Sequence, residues 1–521
     1  MVDCKKIIVC EILNQRRPHT ILFCIRFMVN SEKNTNNTKQ AAWVALGSLF
    51  SVGFSVISAI ILSRYFNKED YGLYKQVIYV YTTLYGFFML GLPKAFSYFL
   101  PKAPLDEAKS LINKLTRLFF ILGGTLSLIL FLGSGIIAIT LNTPKLEPLL
   151  KIFSPVPFLM MPTLGLEGIL ATYRKTKLIS LYVVLTRIAM LICICLPVVF
   201  IRPNVEIALI GFVSSSVFTF IIALYLKYYP VRNSEYKATS ETYKSIFKFC
   251  IPLFIASIWG ILINSTDQFF ISRYFGNKVF ADFSNGAMDL PFVGIIIGAT
   301  STVLTPLFTR QIHEHSDIKT TILPIWNNAF AKSVMLIYPI TIFCLFDSEV
   351  IMTAMYGEQY IASADYFKIK LFTYFFKVIV FYSLIVALGA TKFYQRLFFV
   401  HFIVLVTTEY IFIQIMPNPL IITGVHVTYT ILTCIVLMLY IANALKVHIS
   451  FMIPKKCISL VLSASILSVL IINVLKKAFY SSFNPIPTLC IDATIMAIIY
   501  LTISKLFRLN YFAIIKPLFK R

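Results

Sequence analysis

Acidic residues are scarce in this 521-residue chain: Asp and Glu total 23 against 47 Lys and Arg, and charged residues of either sign make up only 13%. So little charge cannot solvate the surface of soluble domains of this length, and a soluble globular enzyme is excluded. The chain has no glycine-rich phosphate loop, no GxSxG and no HExxH, which removes P-loop ATPases, α/β-hydrolases and zincin proteases. Its ten cysteines form no CxxC pair, so they read as free thiols packing as small apolar groups. His313-Glu314-His315 offers neighbouring loop residues without a third ligand and reads as solvated rather than as a metal site. No long polar segment exists that would house a catalytic domain, so the chain reads as a non-enzyme, and no cofactor is called for. A membrane-embedded polysaccharide polymerase or ligase stays as the alternative of a different class.

What is abundant is apolar sequence. Hydrophobic residues make up 58% and aromatics 15%, with a mean hydropathy of +0.80. Fourteen apolar runs fall near residues 41–62, 77–100, 118–141, 149–171, 178–201, 206–226, 249–272, 286–308, 324–346, 367–389, 394–416, 420–443, 457–475 and 487–504. Each is close to the ~20 residues a helix needs to cross a bilayer. The expected fold is an all-α polytopic membrane bundle.

The net charge of +24 would suggest nucleic acid in a soluble protein, but here it follows membrane sidedness. With residues at span edges counted in the adjoining connector, connectors on the N-terminal side carry 31 basic residues and those on the opposite side 10. Both termini are therefore expected in the cytoplasm, in a multi-pass protein of the cytoplasmic membrane, and nucleic acid is not an expected partner. Residues 1–40 form a basic leader whose short apolar stretch, Thr20 to Val29, is interrupted by Arg26 and too short to span. A start at Met28 would remove five basic residues and leave the orientation unchanged.

An internal repeat suggests the domain plan. Ser63-Arg64-Tyr65-Phe66 ends the first span and Ser272-Arg273-Tyr274-Phe275 ends the seventh. Both are followed by polar connectors, Asn67 to Tyr71 and Gly276 to Asp282, and six spans separate them, so two six-helix lobes of equal orientation would face a central cavity. The plan reads as an N-lobe at 41–226, a cytoplasmic linker at 227–248, a C-lobe at 249–443, two further helices within 444–504 and a basic tail at 505–521. This is a 6+6 pseudo-twofold arrangement plus two.

Ala59 to Tyr74 (AIILSRYFNKEDYGLY) resembles the opening of the bacterial Wzx-type oligosaccharide flippases, the polysaccharide branch of the multidrug/oligosaccharidyl-lipid/polysaccharide exporter superfamily. Asn264 to Gly276 (NSTDQFFISRYFG) resembles that family's seventh span, and Gly91-Leu92-Pro93 with Tyr98 to Pro101 fits the end of its second. The resemblance implies export of an undecaprenyl-diphosphate-linked repeat unit for O-antigen, capsule or exopolysaccharide by alternating access. It also implies membrane lipid around the cargo, a polysaccharide polymerase and chain-length regulator as protein partners, and possible coupling to a proton or sodium gradient. A small-molecule antiporter of the same superfamily is the nearer alternative and calls for an acid-rich cavity.

The charged residues inside spans are the candidate site, because buried charge in hydrocarbon is costly and marks function by default. Arg187 lies about nine residues into its span, roughly 14 Å of helix rise, and Lys332 is similarly deep. Lys94 falls in the cytoplasmic half of span two, Lys377 near the middle of span ten, and Arg64 and Arg273 at the external mouth. Together these six are the expected contacts of a lipid-linked diphosphate. Lys370, Tyr374 and Lys377 share one helix stripe, although Lys368 and Lys370 open the span and read as snorkelling anchors. Asn264, Asp267 and Gln268 share a face of span seven, and Asn285 and Asp289 a face of span eight. Asp267, with Asn264 and Asp289 as further polar or ion-coupling groups, is left three roles: carrying a proton or sodium ion, contacting sugar hydroxyls, or holding Arg273. Glu167, Glu409 and Asp492 read as structural acids, while Tyr79, Tyr81 and Tyr85 are candidates for sugar stacking beside the leading reading of each as a packing or lipid-facing group. Prolines 155, 157, 162, 291 and 306 mark places for bends.

Overall fold

The computed structural model describes Gly47 and residues 50–314, 317–480, 483–509 and 511. The leader with its Met28 alternative, most of the basic tail and His315 lie outside the described residues. Twelve described helices are long and apolar enough to cross a membrane, and two more complete fourteen legs. In order these are α1 (Phe50–Tyr65), α2 (Lys68–Phe88), α3 (Leu105–Leu132), α4 (Leu146–Thr172), α5 (Thr176–Phe200), α6 (Val205–Val231) and α7 (Tyr243–Gly286). They continue as α8 (Pro291–His313), α9 (Ile318–Phe346), α10 (Ser363–Ala387), α11 (Thr391–Ile415), α12 (Pro419–Ala444), α13 (Lys455–Tyr480) and α14 (Pro485–Leu506). α1 is described from Phe50 onward, and α2 falls outside the twelve. In hydrocarbon the backbone has no water to bond, so helices satisfy it internally.

Several helix starts are written locally. Asn67, Asn204 and Asn418 each accept a backbone N–H of the first turn of α2, α6 and α12, and Pro419 and Pro485 stand where a missing N–H costs nothing. α2 thus begins nine residues before the apolar run at 77, because the Asn67 cap and a buried Tyr71, Leu73 and Tyr74 extend the helix through what reads as a polar connector. It ends at a turn where Leu90 and Gly91 have φ of 47° and 71°, and Pro93–Phe99 forms a separate short helix. In α4 the prolines and Gly165 (φ 80°) divide the leg into short helical pieces. α10 is divided likewise, around Phe372–Thr373 and Val378–Val380.

α7 departs most from the sequence reading. The expected connector Gly276–Asp282 is helical, and Gly276 alone breaks the geometry at φ 78°, ψ 176°, a conformation open to glycine and costly for other residues. Compared with Phe66-Asn67-Lys68 of the first repeat, Gly276 is one residue inserted ahead of Asn277-Lys278. Asn285 therefore ends α7 and Asp289 sits in the non-helical link before Pro291. They do not share a face of span eight. The expected linker is shorter too, since α6 runs to Val231 and carries a fully buried Lys227.

The lobes α1–α6 and α7–α12 meet mainly where α2 lies along α7. At the end that the charge pattern places outside, direct bonds clasp them. Lys68 reaches Asp282 at 2.6 Å and the Gln359 carbonyl at 3.1 Å, Arg64 donates to the Ala354 carbonyl at 2.5 Å, and Tyr71 donates to Asn285 at 2.8 Å. Gln76 bonds Ser272 at 2.9 Å, and a Cβ on Gly72 would collide with the Asn277 carbonyl. α13 and α14 attach to the C-lobe through Lys476, which bridges Asp347 (3.0 Å) and Asp492 (2.9 Å).

Candidate functional site

A cavity of about 370 Å³ lies between the lobes behind this clasp, lined by α2, α7, the link at 287–289, α10 and α12. Three lysines line it: Lys75 from the N-lobe, and Lys370 and Lys377 from the C-lobe. Asp267, Asp289, Asn264, Gln268, Tyr79, Tyr374 and His426 complete its polar wall.

The two carboxylates are already engaged. Asp267, 1% exposed, takes the Lys370 ammonium at 2.5 Å and the Gln268 backbone N–H at 2.9 Å. His426 Nδ1 stands 3.4 Å from the same carboxylate but is not aligned for a hydrogen bond. Asp289 accepts the Tyr374 hydroxyl at 3.0 Å, and that hydroxyl also receives the Leu290 N–H at 2.8 Å. Lys75 and Lys377 have no acid within ion-pair distance among the described residues. Lys75 stands only over the Tyr71 ring, 5.2 Å from its centroid. The wall therefore carries three lysines against two aspartates, and two of those lysines, one from each lobe, lack a direct acidic partner and face the same space. Such a site is built to receive an anion.

A second cavity, about 620 Å³, lies in the N-lobe toward the expected cytoplasmic side and holds Lys94 and Arg187, with Glu167, Tyr85 and Tyr182 on its wall. Arg187 donates to the Met190 sulfur at 3.4 Å, and neither cation is ion-paired among the described residues. The candidate residues thus fall into two groups, Lys94 with Arg187 and Lys377 with Asn264, Asp267 and Asp289. Lys332 lines neither cavity. Arg64 and Arg273 do not line them either: Arg64 grips backbone carbonyls of the external segment at 354–355, and Arg273 donates to the Thr140 carbonyl. The option that Asp267 holds Arg273 is therefore overturned, because Lys370 occupies the carboxylate.

Lys370 is a correction as well: it does not snorkel but pairs inside the bundle, whereas Lys368 does stand half-exposed on Glu349 at 2.8 Å. Sequence reading missed Lys75, which counts as a loop residue when the span starts at 77. Its i+4 spacing from Tyr71 and i−4 spacing from Tyr79 was the available signal. It also ranked Glu409 as a satisfied structural acid, yet Glu409 is fully buried with neither carboxyl oxygen bonded. Of the three tyrosines, Tyr79 lines the central cavity, Tyr85 lines the N-lobe cavity, and Tyr81 packs among Phe153 and Phe212.

Solved structures with this fold are membrane transporters. The lipid II flippase MurJ in an inward closed conformation is similar over 89% of this chain and 98% of its own, at TM-score 0.67 and 16% identity. An inward-facing multidrug resistance MATE transporter of the MOP superfamily is similar over 76% and 94%, at TM-score 0.59 and 14% identity. A MOP-superfamily transporter from Pyrococcus furiosus, described as having a binding pocket of reversed polarity, is similar over 79% and 95%, at TM-score 0.54 and 15% identity. No curated protein matches the sequence. The family profile described as "Polysaccharide biosynthesis protein" matches residues 38–311, more than half the chain. On that profile this chain belongs to the polysaccharide biosynthesis protein family, and it has the fold of the exporter superfamily that contains the flippases.

Proposed function

We propose that this protein flips undecaprenyl-diphosphate-linked oligosaccharide repeat units across the bacterial cytoplasmic membrane for surface polysaccharide assembly, with both termini in the cytoplasm. The observation that carries this reading is the pair of unpaired lysines, Lys75 and Lys377, facing one cavity from opposite lobes. A diphosphate bridging them ties cargo binding to lobe position, which alternating access requires. Lys94 and Arg187 form an earlier station near the cytoplasmic face, where the headgroup leaves the leaflet. The clasp at Arg64, Lys68 and Tyr71 closes the external path while the cargo loads. Asp267, held by Lys370, is the group at which a proton or sodium gradient would act. The mature glycan implies a polymerase and a chain-length regulator downstream. A drug antiporter would need free carboxylates on the cavity wall, and both aspartates there are bonded.

The test is leaflet accessibility of a labelled undecaprenyl-diphosphate oligosaccharide in vesicles containing the purified protein. Transfer should depend on the protein, fall at least tenfold in Lys75→Ala and Lys377→Ala, and vanish in Arg187→Glu with folding intact. Full transfer in the two lysine variants would remove the central cavity from the mechanism.

A further inference from the structure

Beneath the central cavity, toward the expected cytoplasmic side, lies a separate chamber of about 330 Å³ bounded by α7, α8, α10, α11 and α12. It shares Lys377 and Asn264 with the central cavity. Its size is at the low end of the ~300–1,000 Å³ typical of small-molecule sites. Much of its wall is aromatic: Tyr394 and Phe398 stack at 4.4 Å, and Tyr382 meets Tyr394 edge-on at 5.8 Å. Such ring faces suit the C–H face of a pyranose.

The polar groups narrow the ligand further. Thr433 gives its hydroxyl proton to the Tyr429 carbonyl at 2.9 Å, so its contact with His401 Nδ1, also 2.9 Å, requires the imidazole to donate. His401 is then the Nδ1–H tautomer, and Nε2 is a lone-pair acceptor. That atom has no partner among the described residues and lies just behind the chamber surface, on a residue 94% buried in the chamber wall. A buried acceptor left unbonded is unfavourable, and a small tilt of the His401 ring toward the chamber would let a ligand hydroxyl complete it. Asn264, at the opening between the two spaces, has a side-chain amide with no protein partner among the described residues. An isoprene chain would satisfy neither group.

We propose that this chamber is a carbohydrate subsite that takes the sugar attached directly to the diphosphate, with Lys377 at the junction holding the phosphate and Asn264 and His401 reading sugar hydroxyls. The proposal rests on the flippase reading and adds to it that the protein senses the first sugar as well as the charge. Selectivity for the repeat unit then resides in α11 and α12.

Gly260 supplies a clean perturbation. It lines the chamber, and a Cβ there would meet no atom within 4 Å, so Gly260→Leu starts into open space, takes up chamber volume and favours the helix. Binding to the detergent-solubilised protein would be measured for pyrophosphate, geranyl pyrophosphate and a panel of geranyl-pyrophosphoryl hexoses (glucose, galactose and N-acetylglucosamine). At least one hexose should raise affinity tenfold or more over geranyl pyrophosphate. Gly260→Leu and His401→Phe should erase that step and leave pyrophosphate binding unchanged. No added affinity from any hexose, or an undiminished step in Gly260→Leu, overturns the subsite. Weakening of geranyl pyrophosphate relative to pyrophosphate in Gly260→Leu would assign the chamber to the lipid tail instead and also overturns it. Loss of pyrophosphate binding in Lys75→Ala and Lys377→Ala tests the phosphate reading separately, so the two can fail independently.

Discussion

Replacing Lys370 with methionine should be the most damaging conservative change in the C-lobe, and the geometry sets its size. Asp267 is 1% exposed and the Lys370 side chain 17%, so the two partners are not equally tolerant of losing each other. Lys370→Met would leave Asp267 with one backbone N–H at 2.9 Å and a misaligned His426, an uncompensated buried charge costing about 3–5 kcal/mol. Asp267→Asn leaves an ammonium at the cavity wall, where water and ligand reach it, and should cost about 1–3 kcal/mol. The double variant should be milder than Lys370→Met alone, with a coupling energy of about 2 kcal/mol. Reversible unfolding in mixed micelles measures all four corners of the cycle. Repeating it at lower pH should shrink the Lys370→Met penalty, because a proton can then take the lysine's place on Asp267. Additivity within about 0.5 kcal/mol, or a larger loss in Asp267→Asn than in Lys370→Met, would refute the argument.

The external clasp predicts that Gly72→Leu drives α2 away from the Asn277 carbonyl; a cysteine placed at Ser284 on the cavity wall should then react faster with a membrane-impermeant thiol reagent added outside, and an unchanged rate would count against a closed external face. Lys227 is fully buried between Phe96 and Phe119 with only Thr116 Oγ1 at 3.4 Å, so Lys227→Met should leave stability equal or raise it by up to ~2 kcal/mol; a marked loss in the same unfolding assay would mean the ring faces hold the ammonium favourably. Asp317, just ahead of α9, accepts the Thr320 hydroxyl at 2.7 Å and the Lys319 and Thr320 backbone N–H groups of its first turn, and these bonds, the hydroxyl first, hold its carboxyl below the usual carboxylate range. A depressed value stabilises the fold above that range and stops doing so as acidification passes below it, so the small deficit of Asp317→Ala at pH 7 should shrink progressively as both proteins are compared at pH values below the usual carboxylate range.

The membrane-spanning helices were legible because the bilayer makes long apolar runs unavoidable. Helix starts were less so. The Asn67 cap carries α2 through a polar stretch, and Gly276 lets helix resume one residue later; neither leaves a hydropathy signal. Within the site, Asn264, Asp267 and Lys377 were identifiable from intramembrane polarity alone, but their partners came from other helices. The Lys370–Asp267 pair joins α10 to α7 across 103 positions, a proximity no local spacing encodes. Arg64 and Arg273 show the converse: a matched motif at two helix ends whose guanidinium groups serve backbone carbonyls.

On the proposed reading, the unpaired ammonium groups at Lys75 and Lys377 would also make the transport cycle electrical. Three lysines against two aspartates leave the empty wall one positive charge in excess, and a bound diphosphate reverses that sign as the loaded cavity changes sides. Emptied, the same cavity keeps its excess positive charge and must turn back toward a negative interior, the direction in which the resting voltage pulls. Each elementary charge moved through the full field is worth about 2.3 kcal/mol per 100 mV. The voltage would then power the reset of the empty carrier, and de-energised cells would accumulate protein waiting with its cavity turned outward.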